Sequence, residues 1–131
     1  MKQLLGNAFV SVSIDRVSGV ARVTRSVQRA ESVEEITAAF DRAIEVLDTL
    51  DRERLRLLID LRAAPGRNDA EFERAMAPRR HQLMRAFAAV AILVQTPVGN
   101  LQVGRITRED GANALVFNDE AKALSWLCAK K

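Results

Sequence analysis

The 131-residue chain has one cysteine, one histidine, one tryptophan and no tyrosine. Each scarcity removes a class of explanation. Cys128 alone excludes an intramolecular disulfide framework, and one cysteine with one histidine cannot by themselves build a zinc site. Aromatic residues are few, and no basic run is interleaved with them, so a nucleic-acid surface is not expected. No stretch approaches the roughly 20 consecutive apolar residues of a membrane span. Met1-Lys2-Gln3-Leu4-Leu5 is too short an apolar run for a secretory signal, and polar Asn7, Ser11 and Ser13 follow it. A soluble, reducing, cytoplasmic setting is the expectation. Gly99 and Gly104 fit neither Gly-x-Gly-x-x-Gly nor Gly-x-x-x-x-Gly-Lys-Ser/Thr, and Gly-x-Ser-x-Gly is absent as well. No cofactor or metal is therefore expected.

What the chain does have is apolar content, at 48%, and mixed charge, with 20 basic against 17 acidic residues. That composition suits a single domain spanning 1–131, with a core over about residues 8–128 and an ordinary solvated surface. The organising stretch is Leu55-Arg56-Leu57-Leu58-Ile59-Asp60-Leu61-Arg62, with Leu57, Leu58, Ile59 and Leu61 as its apolar run. That near-continuous run predicts a strand buried on both faces, ended by Pro65-Gly66. Ala89-Val90-Ala91-Ile92-Leu93-Val94 predicts a second such strand. Phe9–Ile14 alternates, with Val10, Val12 and Ile14 on one face, and pairs across a Ser18-Gly19 turn with Val20–Thr24 as an opening hairpin.

Ser32 and Glu35 form a capping box for a first helix ending near Leu50 and Asp51. Val33, Ile36, Phe40, Ala43, Ile44 and Leu47 fall inward; Glu34, Asp41, Arg42 and Glu45 fall outward. A second helix starts at Asn68 or Asp69, with Phe72, Met76, Leu83 and Phe87 on one stripe. Pro78 inside it predicts a kink or a split. Thr96-Pro97 opens a short helix to about Arg108, and Glu109-Asp110-Gly111 is a turn. Ala114–Phe117 is a last strand. Asn118 caps a closing helix whose inner face is Ala121, Leu124 and Leu127 or Cys128. Alternating strands and helices after a hairpin predict an α/β fold: a mostly parallel sheet of about five strands with about four helices.

This element order resembles the STAS superfamily, and within it the SpoIIAA-like domains of bacteria, relatives of which resemble CRAL-TRIO lipid carriers. The resemblance rests on Leu57–Arg62, Ala89–Val94 and the stretch Val116-Phe117-Asn118-Asp119-Glu120-Ala121-Lys122-Ala123-Leu124-Ser125-Trp126-Leu127. It implies a non-enzymatic regulatory or protein-interaction module. In anti-sigma-factor antagonists of this fold, a serine at the start of the helix after the central strand is phosphorylated to release the partner. Residues 60–69 here contain no Ser, Thr or Tyr, so that phosphorylation is not expected at the family position. The alternative implied by the carrier relatives is a small apolar ligand between helix and sheet.

In open α/β sheets, binding sites gather at the carboxyl ends of the strands. The candidate partner- or ligand-binding residues are accordingly Asp60, Arg62, Arg67, Asn68, Asp69 and Arg79. Asp60, set in an apolar strand, needs partners such as Arg62, Arg67 or backbone N–H groups; it either fixes the strand exit or faces a ligand. Arg79 falls inside the apolar stripe of its helix. It is rotated outward by Pro78, snorkels along the sheet edge, or binds an anion or a carboxylate. Arg80 and Arg85 extend that surface, with Arg74 and His81 on the outer face. A protein is the expected partner, and an exposed hairpin edge is compatible with a homodimer.

Overall fold

Val10, Val12 and Ile14 are buried while Ser11 and Ser13 between them are half-buried, so the alternation read in the sequence is the alternation of a strand with one covered face. The computed structural model describes residues 1–65, 69–95 and 114–129. Its elements are β1 (Lys2–Gly6), β2 (Val10–Asp15), β3 (Val20–Arg25), α1 (Val33–Asp48), a 3-10 turn (Arg52–Arg54), β4 (Arg56–Asp60), α2 (Ala70–Met84), β5 (Val90–Leu93), β6 (Ala114–Phe117) and α3 (Glu120–Ala129). They build one six-stranded sheet whose strand order equals chain order, β1-β2-β3-β4-β5-β6. The first two pairings are antiparallel and the last three parallel.

The sheet has one strand more than the five expected. β1 escapes an alternation test because Leu4 is a bulge residue: Gln3 pairs with Ser13 and Leu5 with Val12, leaving Leu4 without a partner position. Between β2 and β3, Asp15 Oδ1 accepts from the Val17 N–H at 3.0 Å, and Gly19 turns the chain at φ +73°. A Cβ at Gly19 would meet only the mobile end of Arg56, in ordinary contact at 3.4 Å, so it is the backbone conformation that favours glycine there.

The two faces are covered differently. α1 and α2 lie on one, where Val12, Val23, Leu57, Ile59, Val90 and Ile92 meet Ile36, Phe40, Ala43, Leu47, Met76 and Leu83. α3 lies on the other, over β4, β5 and β6, where Leu58, Ala89, Ala91 and Leu93 meet Ala123 and Leu127. Leu57 and Leu58 are both fully buried, on opposite faces. Each such side chain contributes about 1.5–3 kcal/mol. Ala91 of β5 and Ala89 just before it are small side chains under α3, and Phe117 closes its flank with a tilted ring contact to Trp126 at 5.7 Å.

Several local expectations are corrected. α2 is continuous through Pro78 and not split. Its buried residues are Met76, Leu83 and Met84; Phe72 is half-buried and Phe87 is buried just beyond the helix. Ser32 caps α1 through the Glu35 N–H at 3.2 Å, but the Glu35 carboxylate reaches back to the Glu31 N–H instead of closing the box on Ser32. α3 is capped by Asp119, which accepts from the Lys122 N–H at 3.1 Å, and not by Asn118. Ala121 and Cys128 are exposed, so Leu127 and Ala123 form the inner face. Among the described residues there are three α-helices; the expected helix from Pro97 to about Arg108 and the turn at Glu109–Gly111 lie outside them.

Candidate functional site

Asp60 is the last residue of β4 and only 5% exposed. A carboxylate so placed must be fully hydrogen-bonded, and it is. Oδ1 accepts from the Arg62 backbone N–H at 3.1 Å and from Arg62 Nε at 3.0 Å; Oδ2 accepts from Arg62 Nη2 and Arg22 Nη2, both at 2.8 Å. The Arg62 contact is the two-pronged guanidinium–carboxylate pairing, folded back over two residues. Arg22 comes from the middle of β3, on the α3 side of the sheet.

The same two nitrogens hold a second acid. Glu120, at the first position of α3, places Oε1 2.7 Å from Arg22 Nη2 and 2.8 Å from Arg62 Nη2. Two guanidinium groups thus bridge two carboxylates, joining β3, β4 and α3 at the carboxyl end of the sheet. Burial alone would raise the Asp60 pKa. The hydrogen bonds from the Arg62 guanidinium and backbone, then from Arg22, outweigh it and hold the group at about 2. The hydrogen bond from Arg22 likewise lowers Glu120. Pairing with Asp60 raises Arg62, and the two acids together raise Arg22 against the opposing effect of burial.

Of the candidate residues, the structure therefore brings Asp60 and Arg62 together. Arg67 and Asn68 lie outside the described residues. Asp69 is the N-cap of α2, accepting from the Phe72 N–H at 3.2 Å. Arg79 neither turns out to solvent nor stands open to an anion. It forms a two-pronged pair with Asp41 of α1, at 2.9 and 3.2 Å, and donates to Ala75 O at 2.7 Å. Asp41, expected to face outward, points at α2 for this reason. Arg80 and Arg85 are also paired, with Glu73 at 3.2 Å and Asp48 at 2.8 Å.

The two residues missed were Arg22 and Glu120. Arg22 stands in the middle of a strand, but its place beside the fully buried Leu58 is set by the β3–β4 pairing, which no local pattern reveals. Glu120 looked like an ordinary first-turn acid favoured by the helix dipole, and nothing local distinguishes it.

Among the described residues, no group of three or more His, Cys, Asp or Glu side chains is placed to hold a metal, and no helix is long and apolar enough to cross a membrane. No protein-family model matches the chain, and no curated protein matches it. Among solved structures, it is similar to an uncharacterised protein of the DUF3478 family with a SpoIIAA-like fold from Shewanella loihica PV-4. The TM-score is 0.63 at 17% identity, over 95% of this chain and 99% of that one. The chain has a SpoIIAA-like α/β fold.

Proposed function

We propose that the chain is a non-enzymatic regulatory or protein-interaction module, resembling anti-sigma-factor antagonists but without a serine at their phosphorylated position. The observation that supports this reading is the condition of Asp60. A general base works best with a pKa near the operating pH. Asp60 is held at about 2 and directs both oxygens into four N–H contacts. Such a group braces the β4 exit against α3 and gives the rim of the sheet a persistent shape, which suits recognition of another surface.

In this reading the partner-facing region is α2, whose Glu71, Arg74, His81 and Gln82 are exposed, with the stretch 63–69 before it, of which 66–68 lie outside the described residues. Arg79 drops out of it, being committed to Asp41. The alternative of an apolar-ligand carrier gains no support, because a packed core occupies the layer between α1, α2 and the sheet.

The test is native mass spectrometry of the full chain captured gently from its host's lysate, wild type beside Arg74→Glu. A protein-sized added mass with wild type, lost in the variant at an unchanged melting temperature, is the expected result. Equal capture by both, or a small-molecule mass in place of a protein, counts against it.

A further inference from the structure

Glu120 and Asp60 sit on the same two guanidinium groups but are held very differently. Asp60 is on a strand, uses both oxygens and has a side chain 8% exposed. Glu120 reaches in on a longer arm from the first turn of α3, uses Oε1 alone and has a side chain 38% exposed. Solvent screening weakens its two contacts. Arg22 Nε and Nη1 and Arg62 Nη1 make no hydrogen bond with the described residues and are not sealed from solvent, so both guanidiniums keep donors in reserve.

We propose that Arg22 and Arg62 form a binding site for a phosphoryl oxyanion, which Glu120 fills in the free chain as an internal competitor. Asp60 stays in place beneath, fixing the two guanidiniums so that their Nη2 atoms converge on one oxygen. A phosphoryl group brings more charge and more acceptor oxygens than a carboxylate anchored by one atom, so it can take the position of Oε1 and engage the reserve donors too. The site opens at the amino end of the ten-residue α3, where the helix dipole adds to the attraction for an anion. Glu120 then swings into solvent, at little cost to a side chain already half outside.

The test is calorimetric titration of the full chain with inorganic phosphate at constant ionic strength, comparing wild type, Glu120→Gln and Glu120→Gln with Arg62→Ala. Removing the competitor is expected to tighten phosphate binding at least about tenfold, and removing Arg62 to abolish it. Glu120→Ala serves as a second variant, and melting temperatures report folding. Phosphate binding to both Glu120 variants no tighter than to wild type, or unchanged by Arg62→Ala, overturns the proposal. A second arm uses a phosphoserine peptide. Tighter binding than phosphate assigns the group to a macromolecule, and equal binding assigns it to a free phosphate; both support the site. None of these readouts needs the protein partner, so the interaction reading can fail while the anion site stands.

Discussion

Two arginine networks, one partly exposed and one buried, stand at opposite ends of the sheet, and they use the same side chain for different ends. At the carboxyl end, Arg22 and Arg62 are matched one-for-one by Asp60 and Glu120. At the amino end, Arg52 is 6% exposed and holds mostly neutral acceptors. Nη1 donates to Leu83 O and Arg85 O at 3.0 Å, Nη2 reaches Asp48 Oδ1 at 2.9 Å, and the guanidinium lies 5.0 Å from the Phe87 ring centre. Its buried Nε has no partner among the described residues. Burial lowers the Arg52 pKa, whereas ion pairing raises those of Arg22 and Arg62. Arg52 is a backbone staple, tying the end of α2 to the start of β4. The carboxyl-end cluster is a charge-balanced rim, part of which faces water. The staple cannot be altered without exposing orphaned carbonyls; the rim can exchange a member.

The largest effect is therefore expected at the staple. Arg52→Leu leaves the Leu83 and Arg85 carbonyls unsatisfied and should cost about 3 kcal/mol in urea unfolding. Asp60→Asn removes the charge on which both rim guanidiniums converge and should cost less, about 2 kcal/mol, since Arg62 and Glu120 can turn to solvent. The reverse order would show that the rim, not the staple, is the rigid end.

Acid should separate the two ends without mutation. Asp60 has a folded pKa of about 2 against an ordinary 3.8, so the stability it contributes is complete above 3.8 and is lost as pH falls toward 2. Unfolding free energies from urea titrations across that interval should fall by up to about 2 kcal/mol in wild type and by less in Asp60→Asn. Parallel pH curves would remove Asp60 as the cause. The smallest effect belongs to Ala86, which the turn beside the staple holds at φ +71°. Ala86→Gly relieves that strain and should raise stability by about 0.5–1 kcal/mol, since glycine's extra freedom when unfolded offsets part of the gain. A loss would mean that the alanine methyl group contributes packing there.

What could be read from the sequence divides along similar lines. β4 announced itself because a strand buried on both faces has no polar alternation to hide, and α1 because its seven buried residues follow one helical stripe. Both signals are local. β1 was hidden by its bulge, and the inner face of α3 was left between Leu127 and Cys128, neighbours that differ by 100° around a helix. At the site, Asp60 and Arg62 were legible because they are two residues apart. Arg22 and Glu120 were not, because their meeting depends on which strands become neighbours and where α3 lands. The same holds for Arg79, whose partner Asp41 lies on the preceding helix.

The identity of strand order and chain order bears on how the molecule assembles. Each strand is added beside the one made just before it, so the sheet can grow from its antiparallel end, first by tight turns and then by helical crossovers, and no strand pairing skips an element of the sheet. The tie between Arg22 and Glu120 is the exception, spanning 98 positions, and it can close only when α3 has docked. It acts as a latch fastened after the rest is built. Substituting Glu120 should therefore speed unfolding while leaving the refolding rate in stopped-flow measurements unchanged.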